Sequence, residues 1–198
     1  MSREGLTIPR PTLQEVERYL KPWGSQKEDG LKESSLNKLF LTTYPLNNNL
    51  DDILIKVCSL NVLYSTNILD PLTVARHIQS LGIDEGLKRG DLGIVNQIAT
   101  VKMNGGKTRR FYSFATKYCS RHQPKIYPIY DSYVEKLLLH FKRTDQFAKF
   151  SNQDLKDYPK FREIIDEFRT FYGLTQYDPK TIDQYLWQAG KEYYSLYK

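Results

Sequence analysis

The sequence predicts an all-α fold, and two observations lead to this prediction. Apolar residues recur at the three- and four-residue spacing of a helix face in successive segments along the chain. The alternation of Val, Ile or Thr with polar residues that marks a strand is essentially missing. With 198 residues, of which 40% are hydrophobic and 26% charged, the chain is expected to form one soluble globular domain over 1–198.

The N-terminal part predicts a helix followed by a loop. The helix covers 12–20 and opens with a capping box formed by Thr12 and Glu15. The polar, Gly-containing segment 21–33 predicts a loop, and 35–40 predicts another short helix.

The central and C-terminal parts predict a series of amphipathic helices. We divide the domain into an N-terminal helix and loop at 1–34, a central core at 48–142 and C-terminal helices at 143–198. Helices are expected over 50–63, 70–81 and 92–101, over 108–122 after an interruption at 102–107, from about 132 to 141, and within 161–171 and 182–193.

Several classes of protein are not expected. No run approaches the roughly 18 consecutive apolar residues of a membrane span, and the N-terminus lacks the apolar core of a signal peptide, so we expect a cytoplasmic protein without membrane contact. Cys58 and Cys119 are expected to be free thiols. The three histidines are scattered, so no metal and no cofactor are expected.

Positive charge is concentrated in one stretch of the chain. The formal net charge is +6 and the pI about 9.1, yet residues 92–130 contain seven cations and no acidic residue. These cations are Lys102, Lys107, Arg109, Arg110, Lys117, Arg121 and Lys125. Such clustering indicates a polyanionic partner such as DNA, the alternative being a solvated basic face.

The segment GGKT at 105–108 is not a phosphate-binding P-loop, because Val101 stands where that motif needs Gly and the preceding segment predicts a helix. We instead predict two helices joined by a tight turn, whose backbone N–H groups could hold a phosphate. The alternative is an ordinary turn that ends a helix. The residues expected to contact DNA here are Gly105, Gly106, Lys107, Thr108, Arg109 and Arg110.

The acid-free stretch ends at Asp131, in the sequence YPIYDSYVEKLL. Ser132 and Glu135 can form a capping box for the next helix, which would place Asp131 just outside that helix and facing the basic segment. The alternative is that Asp131 is itself the N-cap. A carboxylate beside bound DNA could stabilise a sugar cation or orient water during glycosidic-bond cleavage.

These features together resemble the core of the helix-hairpin-helix DNA glycosylases over about residues 50–142. In that superfamily a loop reading Pro-Val-Asp, followed by two residues and an apolar one, comes after the hairpin. Asp131 falls on the catalytic Asp and Val134 on the apolar position. Upstream, LYSTNILD is similar to the family's Leu-Ser-x-Gln-x-x-Asp stretch, with Ser65, Asn67 and Asp70 on its three polar positions.

The resemblance implies a two-lobed helical bundle that flips a base out of DNA. Asp131 would be catalytic, and Asn67 would enter the duplex where the base leaves. The family's Schiff-base Lys lies nineteen residues before the Asp, where this chain has Tyr112, so the expected enzyme is monofunctional and leaves an abasic site. Lys117, fourteen residues before Asp131, is the reserve amine and a DNA contact. The hairpin lacks the family's Pro-Gly-x-Gly, which leaves open whether it binds the family's monovalent cation.

Aromatic residues near Asp131 suggest a base pocket. Tyr112, Tyr130 and Tyr133 could sandwich an extruded base, the alternative for each being a half-buried tyrosine of the bundle. Trp187 could stack on a base, the alternative being that it packs the terminal helix.

The sequence therefore predicts a monomeric DNA glycosylase that excises a modified or damaged base. Removal of hypermodified bases from phage DNA, as an antiviral defence, is one hypothesis for its role. Two alternatives come from other classes of protein. One is a non-catalytic DNA-binding module that uses the same hairpin, and the other is a helical interaction protein with a basic face.

Overall fold

A computed structural model describes residues 8–20 and 27–195 of the chain, and the side chains of 30–194 within the second range. The described part is mainly helical, which confirms the predicted class at this level. Its α-helices are α1 Leu13–Leu20, α2 Lys27–Asn37, α3 Leu50–Tyr64, α4 Pro71–Leu81, α5 Asp84–Arg89, α6 Gly93–Ala99, α7 Tyr112–His122, α8 Ser132–Asp145, α9 Tyr158–Phe171 and α10 Pro179–Ser195. A π-helical turn covers Lys38–Thr43 and a 3₁₀ turn covers Asp154–Lys156.

Between α6 and α7 the chain forms a β-hairpin, so the predicted helix–turn–helix is wrong at this point. Strands β1, Thr100–Lys102, and β2, Thr108–Arg110, pair antiparallel. Gly105 and Gly106 both have positive φ, 90° and 81°, which turns the chain back on itself in a way that favours glycine. The buried Val101 anchors the hairpin to the core.

Helix α2 and the short α5 were not predicted. Residues 27–33 belong to α2, where the sequence predicted a loop, and 21–26 of that predicted loop lie outside the described residues. The sequence predicted a separate short helix at 35–40. The structure has the C-terminal end of α2 followed by the π-helical turn over these residues. Helix α2 has almost no separation of apolar from polar faces, so periodicity could not reveal it.

Three predicted helix starts are confirmed by their capping contacts. Thr12 Oγ1 accepts a hydrogen bond from the Glu15 N–H at 3.2 Å, which is one half of the predicted capping box, while the Glu15 carboxylate binds Arg18 instead of the Thr12 N–H. Asn49 caps α3, and Asp70 caps α4 by accepting from the Thr73 N–H at 3.1 Å. Each cap satisfies backbone donors that the first helical turn leaves unpaired.

One cluster of buried apolar side chains runs from α1 to α10 through the described residues. Helix α10 lies unusually close to the start of α8. A Cβ on Gly190 would be 2.7 Å from Tyr133 Cβ and 2.9 Å from the Tyr133 carbonyl oxygen, so only glycine permits this approach. The contact fixes α10 beside the first turn of α8.

Within the described ranges, no helix combines the length and apolar character needed to cross a lipid bilayer.

Candidate functional site

A cleft of about 310 Å³ lies where α2 and α3 face α7, α10 and the start of α8. It is lined by Lys32, Glu33, Leu36, Leu63, Tyr64, Ser65, Lys117, Arg121, Ile129, Asp131, Val134, Lys180, Asp183, Gln184, Trp187 and Lys191. Five of these residues are basic and three are acidic. The structure therefore places Asp131 and Lys117 in one cleft with an excess of positive charge.

Asp131 is the N-cap of α8, so the predicted capping box of Ser132 and Glu135 is wrong. Its Oδ1 accepts a hydrogen bond from the Tyr133 N–H at 2.7 Å. Glu135 instead binds the Tyr130 hydroxyl and the Lys156 ammonium. Only one Asp131 oxygen is used by the cap, and the other, Oδ2, lies in the cleft at 4.0 Å from Lys117 Nζ.

Among the described residues, Lys117 is the lysine that pairs with Asp131. Its side chain is 6% exposed, and its Nζ donates a hydrogen bond to Ser113 Oγ at 2.5 Å. Burial lowers the pKa of Lys117 to about 8, with Asp131 and Asp183 opposing that change. An appreciable fraction of this amine is therefore neutral, and able to attack a carbon atom, near neutral pH.

Side chains from three helices hold the backbone that leads into Asp131. Thr116 Oγ1 accepts from the Tyr130 N–H at 3.1 Å, and Asp183 Oδ2 accepts from the Ile129 N–H at 2.6 Å. The Tyr158 hydroxyl donates to the carbonyl of Pro128 at 2.8 Å. Asp131 thus stands at the end of a clamped segment. Such support keeps a reactive side chain in place.

Arg121 links α7 to α2 and α3 across the cleft. Its guanidinium pairs with Glu33 at 3.3 Å and also binds Asn37 and the Tyr64 hydroxyl. The cations of Lys117 and Arg121 lie 5.4 and 5.7 Å from the centre of the Tyr64 ring. Two cations thus lie close to the Tyr64 ring in the wall of the cleft.

The tyrosines predicted to form a base pocket do not line this cleft. Tyr112 and Tyr130 are 7% and 6% exposed, with ring centres 4.9 Å apart in the core. Tyr133 also lies outside the lining residues. The aromatic rings that the described residues present to the cleft belong to Tyr64 and Trp187.

The hairpin residues that were predicted to contact DNA differ in how far they are engaged within the chain. Gly105 and Gly106 form its exposed tip. Five residues separate Gly106 from the start of α7, so the turn is not at the N-terminus of that helix as predicted. Lys107, Thr108 and Arg109 are exposed. Arg110 is bound to Asn96 at 2.9 Å and to the Lys156 carbonyl at 2.6 Å, so its guanidinium is partly engaged within the chain.

The loop between α3 and α4 connects the hairpin to the cleft. Asn67 is exposed on this loop, and both Ser65 and Asn67 have positive φ, 50° and 58°, which is unusual for residues other than glycine. Ser65 lines the cleft. At the other end of the loop, Asp70 accepts a hydrogen bond from Asn104 of the hairpin turn at 2.9 Å.

Sequence reasoning did not assign Tyr64, Arg121, Asp183 or Lys180 to the site. One signal was available, because Lys117 and Arg121 are four residues apart and therefore share a face of α7. No comparable signal marked Lys180 or Asp183 of α10, although Trp187 of the same helix was predicted to stack on a base. In the part of the chain that the structure describes, no group of three or more His, Cys, Asp or Glu side chains could hold a metal ion.

Comparison with known proteins gives a family but no activity. An uncharacterized protein of Haemophilus influenzae (strain ATCC 51907 / DSM 11121 / KW20 / Rd) is 47% identical over 133 residues, which cover 67% of this chain and 63% of that protein. The chain thus spans less than two thirds of that relative's length. No solved structure matches the chain. Residues 15–126, more than half of the chain, match the HI_0787_N N-terminal domain, and the chain therefore belongs to this family.

Proposed function

We propose that this protein is a DNA glycosylase and that its reaction takes place in the cleft between α3, α7 and α10. One observation supports the proposal most directly. A buried amine, Lys117, and a carboxylate, Asp131, stand 4.0 Å apart in a positively charged cleft. Glycosidic-bond cleavage makes use of this pair, since it develops positive charge on a sugar and leaves a carbon open to attack.

Asp131 would stabilise the sugar cation as the base leaves. Its Oδ1 is held by the Tyr133 N–H, and its Oδ2 remains directed toward Lys117. The clamped backbone on its N-terminal side limits movement of the carboxylate, so little reorganisation is needed at the moment of reaction.

Lys117 would form a covalent bond to the sugar. The Nζ lone pair attacks C1′, and the base departs with the electrons of the glycosidic bond. Opening of the C1′–O4′ bond then leaves an imine, and the two amine protons pass to the departing base and to O4′. The spacing in the sequence favoured a monofunctional enzyme. The short Lys117–Asp131 distance instead leads us to propose an imine-forming one.

We propose DNA as the partner of this enzyme, which the proposal takes to be monomeric and cytoplasmic. The exposed hairpin cations Lys102, Lys107 and Arg109 would contact phosphates. Asn67 extends from the adjoining loop and would contact the strand from which the nucleotide is flipped. The flipped base would stack against Trp187 in the cleft, in place of the buried tyrosines.

The test is release of a free base. Wild type and Asp131→Asn are incubated with phage genomes that carry natural or hypermodified bases and with duplexes that contain oxidised or alkylated bases, and free bases are measured by mass spectrometry. We expect release by wild type, and a rate at least about 100-fold lower in the variant. Because Asn caps helices as well as Asp does, the variant should fold normally. Release by the variant at the wild-type rate would contradict the role of Asp131.

The hairpin cations should set the salt dependence of DNA binding. Lys107→Ala combined with Arg109→Ala removes two phosphate contacts, so the slope of log Kd against log salt should become shallower by about 1.8. The matched control replaces Arg143 and Lys149, which are also exposed but lie outside the hairpin. Binding to a duplex is measured by fluorescence anisotropy from low to moderate salt.

An equal change of slope in both double variants would show that the hairpin cations are not the specific phosphate contacts. The same measurements test the two other candidate functions. Salt-dependent binding without any base release across the panel would favour the non-catalytic DNA-binding module. Absence of salt-dependent DNA affinity would favour the helical interaction protein.

A further inference from the structure

Asp183 on α10 is an unusually buried carboxylate. It is 3% exposed, and its residue stands among the lining of the cleft. Its Oδ2 accepts a hydrogen bond from the Ile129 N–H at 2.6 Å, and its Oδ1 pairs with Lys180 at 3.3 Å. A buried carboxylate is costly unless its oxygens are satisfied, and here both are in use.

The first consequence concerns position. Ile129 lies two residues before Asp131, on the segment that Thr116 and Tyr158 also hold. Asp183 is the clamp that comes from α10, whereas Thr116 belongs to α7 and Tyr158 to α9. The close approach at Gly190 holds α10 against α8. The hydrogen bond from the Ile129 N–H to Asp183 therefore restrains the backbone just before Asp131.

The second consequence concerns charge. The charged groups that act on Lys117 are Asp131 at the start of α8 and Lys180 and Asp183 on α10, while α7 supplies the Ser113 hydroxyl and α3 the Tyr64 ring. Those that act on Asp183 are Lys180 on its own helix and Arg121 on α7. The negative charge of Asp183 thus opposes the effect of burial on the amine.

We propose that Asp183 is a positioning residue with two effects on the site. Its carboxylate fixes the backbone that carries Asp131, and its negative charge helps to keep a proton on the Lys117 amine. The inference rests on the proposed function in treating Asp131 and Lys117 as the reacting pair. Both effects can nevertheless be measured in the protein without DNA.

Two substitutions separate the effects. In Asp183→Asn the side-chain carbonyl can still accept from the Ile129 N–H, but the charge is lost. In Asp183→Ala both the acceptor and the charge are lost. The control is Asp166→Asn, which removes a half-buried carboxylate that pairs with Arg162 and Arg169 on α9.

The charge is tested by NMR titration of protein labelled with ¹⁵N-lysine, with the Lys117 signal assigned by its loss in Lys117→Met. In Asp183→Asn we expect the titration midpoint of Lys117 to fall below that of wild type, with no change in the control. A midpoint equal to that of wild type would overturn the effect of charge.

The position is tested by hydrogen exchange of the Ile129 amide. We expect exchange at least about ten times faster in Asp183→Ala and close to the wild-type rate in Asp183→Asn, since only the first variant leaves this amide unpaired. Equal exchange in Asp183→Ala and wild type would overturn the positioning role. If both measurements follow expectation but wild type releases no base, the proposed function fails while the role of Asp183 in the cleft stands.

Discussion

Replacing Lys117 with methionine should abolish covalent capture of abasic DNA. Methionine preserves an unbranched side chain in a buried site but has no amine, so no imine can form with the C1′ aldehyde of the abasic sugar. Protein and an abasic duplex are incubated with sodium cyanoborohydride, which reduces an imine to a stable amine, and the cross-linked product is measured on a denaturing gel. We expect cross-linking by wild type and a loss of at least about 100-fold in the variant.

The pH dependence identifies the amine that reacts. Because burial lowers the pKa of Lys117 to about 8, the neutral fraction should rise about tenfold per pH unit up to about pH 8 and then level off. The rate of cross-linking should follow this curve. Lys125→Met is the control, since Lys125 is an exposed lysine of the same acid-free stretch and should leave the rate unchanged. Undiminished cross-linking in Lys117→Met would show that another amine reacts.

The same shift predicts how stability depends on pH. The pKa of Lys117 is lowered from its ordinary value of 10.5 to about 8, so between these values the unfolded chain binds more protons than the folded one. The contribution of this residue to the free energy of unfolding therefore rises with pH across that window. The free energy of unfolding of Lys117→Met, measured relative to that of wild type, should therefore be greater at pH 7 than at pH 10.

Replacing the buried Lys56 with methionine should strongly lower the free energy of unfolding. Lys56 is fully buried, and its ammonium donates to the carbonyls of Tyr44 and Leu46, at 3.1 and 2.8 Å, and to Asn47 Oδ1 at 2.7 Å. Asn47 is also bound to Asp84 and Tyr118, so the lysine supports a wider polar network. Methionine would leave the backbone acceptors without this donor. We expect a loss of about 3 kcal/mol in the free energy of unfolding.

This loss is measured by urea unfolding at pH 7 and by the melting temperature, which should fall by on the order of 10 °C for a chain of this size. Lys38→Met is the matched control, because Lys38 is exposed, and it should change stability by less than about 0.5 kcal/mol. A loss of similar size in both variants would show that the buried contacts of Lys56 contribute little.

Periodicity determined most of the helical architecture. Helices α3, α4, α8, α9 and α10 were predictable, because each buries one face and so repeats apolar residues every three or four positions. The hairpin was not predictable in this way, since each of its strands has only three residues, too few to reveal an alternation, and all three residues of β2 are exposed. Helix α2 was not predicted because it has no apolar stripe along one face.

At the candidate site, the sequence alone singled out Asp131 through the end of the acid-free stretch, and Lys117 only as a reserve amine. It could not decide between an N-cap and a free carboxylate, because Ser132 offers an equally good cap by type. The structure shows that Asp131 is the cap and that its second oxygen still reaches the cleft. A carboxylate has two oxygens, so both roles fit one residue.

Only tertiary packing decided the surroundings of that carboxylate. Asp183 follows Ile129 by 54 residues, and no local pattern in the chain relates the two. The close approach of α10 to α8 at Gly190 brings them together, just as the fold of α7 turns Lys117 toward Asp131. Composition and periodicity report which faces are buried. The distances between charged groups from separate helices arise when those faces pack against one another.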